Sequence, residues 1–276
     1  MQKTGHLRKM KTGLTQPVSY HLILDDDIVP LSPRLGTRLK LTHTGVIHCI
    51  HCGRLTRKSF NQGYCYPCFT RLAECDSCII KPELCHFDQG TCRDPAWAQQ
   101  HCMQPHYVYL ANSSGVKVGI TRASQIPVRW MDQGATQALP ILRVASRYLS
   151  GLVEVALKQY VADKTQWQRM LKGPGEPVAL PQQRDVLLAR VAPELAALRA
   201  RFGAEALEVL DEPPVTIEYP VLQYPLKVKA FNLDRDPVLE GTLQGIKGQY
   251  LLLDTGVINI RKYGGYEVEV VLEGEA

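Results

Sequence analysis

The chain has 276 residues, 45% of them hydrophobic and 21% charged, with a formal net charge of +5; this is the balance of a globular protein with one large domain or about two to three small ones. No apolar run approaches the roughly 20 residues that span a bilayer. Nor does an apolar stretch follow Met1-Gln2-Lys3-Thr4-Gly5-His6, so the expectation is a cytoplasmic protein with no secretory leader and no membrane partner. The charge is uneven: residues 101–172 carry nine Lys/Arg against three Asp/Glu, and residues 173–276 carry ten against sixteen. A basic middle segment suits a polyanionic partner.

Residues 1–48 read as an N-terminal β segment. Leu7 to Lys11, Val18 to Leu24 and Arg38 to Leu41 are strand-like, broken by Gly13, Pro17, Pro30, Pro33 and Gly36. Asp25-Asp26-Asp27 reads as an exposed turn.

Residues 49–104 form a cysteine-rich unit that holds all nine cysteines. Cys49-x2-Cys52 is followed after twelve residues by Cys65-x2-Cys68. Each pair turns two sulfurs toward one point, and a short hairpin joins the pairs into a tetrahedral zinc site. The pattern resembles a zinc ribbon or treble-clef knuckle. A second set follows: Cys75, Cys78, Cys85, Cys92 and Cys102. Five thiols compete for four places, and Cys75, Cys78, Cys85 and Cys92 are the favoured ligands. Cys102 is either a replacement for Cys75 or Cys92 or a free buried thiol, and an iron–sulfur cluster is the rival occupant. The expectation is two structural Zn²⁺ sites that supply folding free energy to a segment poor in large apolar residues.

Residues 105–172 read as an α/β core. Tyr107 to Ala111 and Val116 to Thr121 alternate with period two around a glycine-containing turn, which predicts a β-hairpin. A helix through Val128, Arg129, Trp130 and Met131 stops near Gly134. Ala138 to Ser146 reads as a third strand. A helix from about Arg147 to Ala162 buries Leu149, Leu152, Val153, Ala156, Leu157, Tyr160 and Val161, with Glu154 at the border of that stripe. Residues 173–212 are a linker and an Ala/Leu-rich helix bent near Pro193. Residues 213–276 offer six short strands, which predict a small C-terminal β-barrel.

The order hairpin, helix with arginine, strand, helix with glutamate resembles the GIY-YIG nuclease superfamily over residues 105–165. Tyr107-Val108-Tyr109 stands where that family has Gly-Ile-Tyr, and Lys117-Val118-Gly119 where it has Tyr-Ile-Gly. Arg129 matches its helix arginine and Glu154 its metal-binding glutamate. The zinc-rich leader on such a core is also similar to an uncharacterised bacterial family of unknown function. The resemblance implies an α+β fold with a small antiparallel sheet flanked by helices. It also implies a site in which Tyr109 acts on water, Arg129 on phosphate and Glu154 on Mg²⁺ or Mn²⁺, with Gly119 allowing close approach. Tyr107, Lys117 and Arg122 are the added nucleic-acid contacts. Lys117 departs from the family's second tyrosine, and Ala162-Asp163-Lys164-Thr165-Gln166-Trp167 lacks the family's following asparagine. The expected function is therefore binding of DNA or RNA, with metal-dependent phosphodiester cleavage. A non-catalytic zinc-dependent nucleic-acid or ribonucleoprotein module is the alternative, and a zinc-dependent protein-interaction scaffold the third reading.

Overall fold

The computed structural model describes residues 1–273. In chain order its strands are β1 (Gln2–His6), β2 (Lys11–Gly13), β3 (Ser19–Leu24), β4 (Asp27–Pro30), β5 (Arg38–Ile47), β6 (His106–Asn112), β7 (Val116–Arg122), β8 (Gln137–Val144), β9 (Leu207–Val209), β10 (Val215–Thr216), β11 (Val238–Lys247), β12 (Tyr250–Leu253), β13 (Gly256–Asn259) and β14 (Tyr266–Leu272). The helices are α1 (Tyr66–Arg71), α2 (Ser77–Ile80), α3 (Pro95–His101), α4 (Val128–Asp132), α5 (Arg147–Leu157), α6 (Trp167–Met170), α7 (Leu180–Arg190) and α8 (Ala192–Phe202). The fold is mixed α+β with antiparallel sheets. Among the described residues no helix is long and apolar enough to cross a membrane.

The expected hairpin forms between β6 and β7, with Tyr109 directly opposite Gly119. β8 pairs with the other edge of β6, and the short β9 and β10 both pair with β8. Period-two alternation gives this sheet two apolar faces. Val108 and Leu110 pack with Leu149 and Val153 of α5, Leu187 of α7 and Leu195 of α8. Tyr109 and Ala111 face the other way, into a core shared with Trp130 and Met131 of α4 and with the strands from both ends of the chain. The sheet is thus a middle layer, with helices on one side and β structure on the other.

The expected C-terminal barrel does not close. The strands run in the order β1-β14-β5-β11-β12-β13, with β1 and β13 at the two ends of an open six-stranded sheet. β14 spends its hydrogen bonds on β1 and β5 from the N-terminal segment instead of closing the C-terminal strands on themselves. Of the six short strands expected over residues 213–276, the one at Leu226 to Phe231 is reduced to one isolated bridge, Ala230 to Val257. Residues 274–276 of the expected C-terminal unit lie outside the described residues. β2, β3 and β4 form a separate three-stranded sheet. Asp25 sits in the turn between β3 and β4 at φ 50° and pairs with His6 at 2.9 Å.

Two helices depart from their expected bounds. α5 begins on the side-chain cap of Ser146, which accepts from the Leu149 N–H at 3.2 Å, and ends at Leu157. The chain then crosses to β7, where the Val118 N–H donates to the Ala162 carbonyl at 2.8 Å. The exposed edge of β7 thus captures residues expected in the helix. The Pro193 helix divides into α7 and α8, with the proline in the first turn of α8, where its missing N–H costs nothing.

α4 is locked in place by a buried carboxylate. Asp132, only 3% exposed at its side chain, accepts from Lys9 Nζ at 2.5 Å and from Gln249 Nε2 at 2.8 Å, with Arg261 at 3.9 Å. One side chain therefore ties α4 to both ends of the chain. Asp132→Ala leaves the buried Gln249 amide short of a partner while Lys9 and Arg261, each 36% exposed, turn to water, and is expected to cost about 1–3 kcal/mol in denaturant unfolding. A loss under 1 kcal/mol would show that this junction does not hold the layers together.

Candidate functional site

Four thiols converge first. The Sγ atoms of Cys49, Cys52, Cys65 and Cys68 lie within 4.8 Å of one another, with Cys52 and Cys65 at 3.8 Å. A sulfur tetrahedron around zinc at 2.3 Å has edges of about 3.8 Å, so the donor set fits that ion. The first knuckle turns at Gly53 (φ 68°), whose N–H donates to the Cys49 carbonyl at 2.9 Å. Cys65 and Cys68 lie at the start of α1. Burial opposes ionisation of Cys49, but backbone N–H groups of Cys52, Cys65 and His51 hold its thiol down to about 6. Cys68 is pushed up, first by burial and then by its three sulfur neighbours. Four thiolates this close need a cation between them, and a four-sulfur set of this geometry can bind zinc.

The knuckle is seated on the six-stranded sheet. The His48 N–H donates to the Gly265 carbonyl at 2.8 Å. A Cβ on Gly265 would lie 2.0 Å from the His48 carbonyl, and one on Gly264 would lie 2.3 Å from that of Gln62. Only glycine permits this approach.

A cleft of about 730 Å³ runs along the outer edge of β7. Its walls carry seven Lys/Arg (Arg8, Lys9, Arg122, Arg129, Arg147, Lys164, Arg261) against three acids (Glu74, Glu154, Asp163). Arg129 and Glu154 come from opposite faces of the sheet, on α4 and α5, and both line this cleft, as do Gly119 and Arg122. The edge position of β7 makes this possible, because no further strand separates the two faces there.

Glu154 is half-buried. Burial pushes its carboxyl up, the neighbouring Asp163 pushes it further, and Lys158 partly offsets both. Lys158, the (i, i+4) partner that a purely exposed glutamate would take, lies instead 3.9 Å from Glu83. Asp163 arrives through the crossing that pairs Ala162 with Lys117. Sequence reasoning missed Asp163, and also Arg8, Arg147 and Arg261 as cleft residues. The only local signal for Asp163 was its nearness to the helix end; the other three reach the cleft through long-range contacts.

Lys117 lies buried behind the cleft. Burial pulls its ammonium down to about 8 and Arg129 adds to this, while Glu154 and Asp163 oppose it. Tyr109 is fully buried, and its hydroxyl donates to Gln133 Oε1 at 2.9 Å. Burial raises its pKa, with the Arg129 guanidinium beside it acting in the other direction. A Cβ on Gly119 would fall 2.6 Å from the Tyr109 hydroxyl, so Gly119 makes room for that ring. Tyr107 is half-buried, pairs with Thr121 and Arg143, and does not line the cleft.

The remaining cysteines separate. Cys78, Cys85, Cys92 and Cys102 line one small cavity. Cys75 lies outside it and accepts from Asn61 Nδ2 at 3.6 Å, beside the first cluster.

His106, at the start of β6, is another buried titratable group. Its Nδ1–H faces the Gln104 carbonyl at 2.7 Å, and its Nε2 has no partner. Burial holds its pKa down to about 4, with Arg147 and Arg122 repelling the cation. A folded-state value below the usual 6.5 stabilises the fold above pH 6.5, and that stability is lost as the pH falls through 4. Between pH 7 and pH 4 the unfolding free energy of the wild type is expected to fall by about 3 kcal/mol more than that of His106→Gln, as denaturant titrations at the two pH values would show. Equal losses would contradict this.

The profile of a family described as Protein of unknown function (DUF2797) matches residues 36–268. No curated protein and no solved structure matches the chain.

Proposed function

The chain belongs to that DUF2797 family, whose description assigns no activity, and on the geometry of the cleft we propose that it binds nucleic acid along the edge of β7 and hydrolyses phosphodiester bonds there, on a core resembling the GIY-YIG nucleases. The observation that carries this reading is that Arg129 and Glu154, from opposite faces of one sheet, both line a cleft rimmed by seven basic side chains. A polyanion gains from each phosphate so neutralised, and the gain falls with salt.

Glu154 and Asp163 offer hard oxygen donors of the kind Mg²⁺ or Mn²⁺ takes. Bound there, the cation supplies positive charge to the phosphate and to the leaving oxygen. The chain's own groups do the rest. Arg129 grips the non-bridging phosphate oxygens. The Tyr109 hydroxyl and Gln133 hold that arginine's surroundings fixed. Lys117 is buried behind the cleft wall and does not line it, so it contributes charge beside Arg129 and not a base for water. Gly119 keeps the wall free of any side chain that would displace the Tyr109 ring.

One observation favours the non-catalytic alternative. Tyr109, where the resembling family places a water-activating tyrosine, is fully buried with its hydroxyl committed to Gln133. The test is incubation of the purified chain with labelled DNA and RNA, with and without Mn²⁺ or Mg²⁺. Binding with metal-dependent cutting supports the nuclease, and binding with no cutting selects the module. No binding at low salt overturns both.

A further inference from the structure

Four cysteines surround one cavity that the cleft does not use. Cys78 is on α2, Cys102 caps α3, and Cys85 and Cys92 lie in the loops between. They have 6, 6 and 9 residues between them, with no two-residue knuckle among them. The one knuckle available, Cys75-x2-Cys78, is broken. Cys75 ends a short 3-10 turn (Ala73–Cys75), Asp76 caps α2, and the two sulfurs face different neighbours.

The four cysteines share the lining of one hollow with seven other residues. Its volume is about 20 Å³, enough for a water-sized sphere. The sulfurs of the first site all lie within 4.8 Å of one another, whereas those of Cys85, Cys92 and Cys102 do not. The rest of the lining is Ala73, Ile79, Phe87, Trp97 and Ala98, with Arg93 and Asp76 already paired to each other at 2.8 Å. Dispersed thiolates around an apolar hollow are what a polynuclear centre needs, because each sulfur then takes its own iron or shares a two-iron core.

We infer that Cys78, Cys85, Cys92 and Cys102 hold an iron–sulfur cluster, leaving zinc to Cys49, Cys52, Cys65 and Cys68. The assignment is independent of what the cleft binds. The centre has a structural path to the cleft. Arg147 lies within electrostatic reach of Cys102 and Cys78, donates to the Ile79 carbonyl, and also lines the cleft. The segment between Cys78 and Cys85 supplies Ile79 and Ile80 of α2 and the following Pro82 to the cleft wall. It docks on α5 at Gly151, where a Cβ would lie 2.6 Å from the Glu83 nitrogen. The cluster would set the helix that carries Glu154.

The test is the metal and sulfide content of the full chain, purified without oxygen and then incubated with ferric iron, sulfide and excess thiol as reductant. The expected result is about one zinc per chain, plus iron with about equal acid-labile sulfide and visible charge-transfer absorption. Cys102→Ser is expected to lose most of the iron and sulfide while keeping the zinc, and Cys75→Ser to keep both. The retained zinc reports that the variants are folded. About two zincs without sulfide, zinc bound at Asp76, Cys78 and His86, or iron lost from Cys75→Ser but not from Cys102→Ser would each overturn the assignment.

Discussion

Glu154→Gln is expected to keep nucleic-acid affinity within about twofold and to lower metal-dependent cleavage by at least about 10²-fold, since a cation on a developing phosphate charge is worth several kcal/mol. Glutamine is isosteric and leaves the half-buried site filled, so the fold survives. It also relieves the like charge that Asp163 imposes on Glu154, which adds slightly to stability. The measurement is cleavage of a labelled substrate in Mn²⁺ alongside binding in the absence of divalent cation. Cutting at the wild-type rate would remove Glu154 from the chemistry. The companion Asp163→Asn is expected to be milder, because Asp163 stands on a loop while Glu154 stands on a helix fixed by Ser146 and Gly151.

The second large effect is at the first cysteine set. Cys49→Ser is expected to lose the zinc and unfold residues 49–72. Structural zinc in small modules contributes about 10–16 kcal/mol apparent at neutral pH, as much as the whole stability of a typical domain, about 5–15 kcal/mol. The damage is expected to travel, because the knuckle packs on Gly264 and Gly265 at the corner leading into β14. β14 sits between β1 and β5. Zinc content, together with hydrogen exchange in β14 and β5, measures this. Zinc-free protein with full protection in those strands would contradict the account.

Much of the core could be read from the residues. Alternation and the Asn112–Gly115 turn place the hairpin, but a turn one residue longer would put Tyr109 on the other face, so its pairing with Gly119 is seen only in the structure. The two Cys-x2-Cys pairs also specify their own cluster, since each knuckle is built within four residues. The second cysteine set misleads for the same reason. Cys75-x2-Cys78 has knuckle spacing, yet the Asp76 cap turns α2 so that Cys78 leaves Cys75 behind. Nor could closure of the C-terminal strands be read from their pattern. Their periodicity states that strands exist but not with whom they pair, and the partners of β14 lie more than 200 residues away in sequence. The cleft is likewise a product of assembly. Arg8, Arg261 and Asp163 reach it through the N-terminal segment, the C-terminal sheet and the crossing after α5, which no local window contains.

The most direct test of the cleft as a nucleic-acid site is fluorescence anisotropy of a labelled oligonucleotide over a salt series, without divalent cation. It would compare the wild type with the double variant Arg122→Glu/Arg129→Glu. Neither arginine is needed for the zinc knuckle or for the Asp132 junction, so both proteins should be folded. The account predicts binding that weakens log-linearly with salt, and a slope smaller by about 2 in the variant, one per phosphate contact removed. A wild type that fails to bind at the lowest salt, or a variant with unchanged affinity and slope, would contradict it.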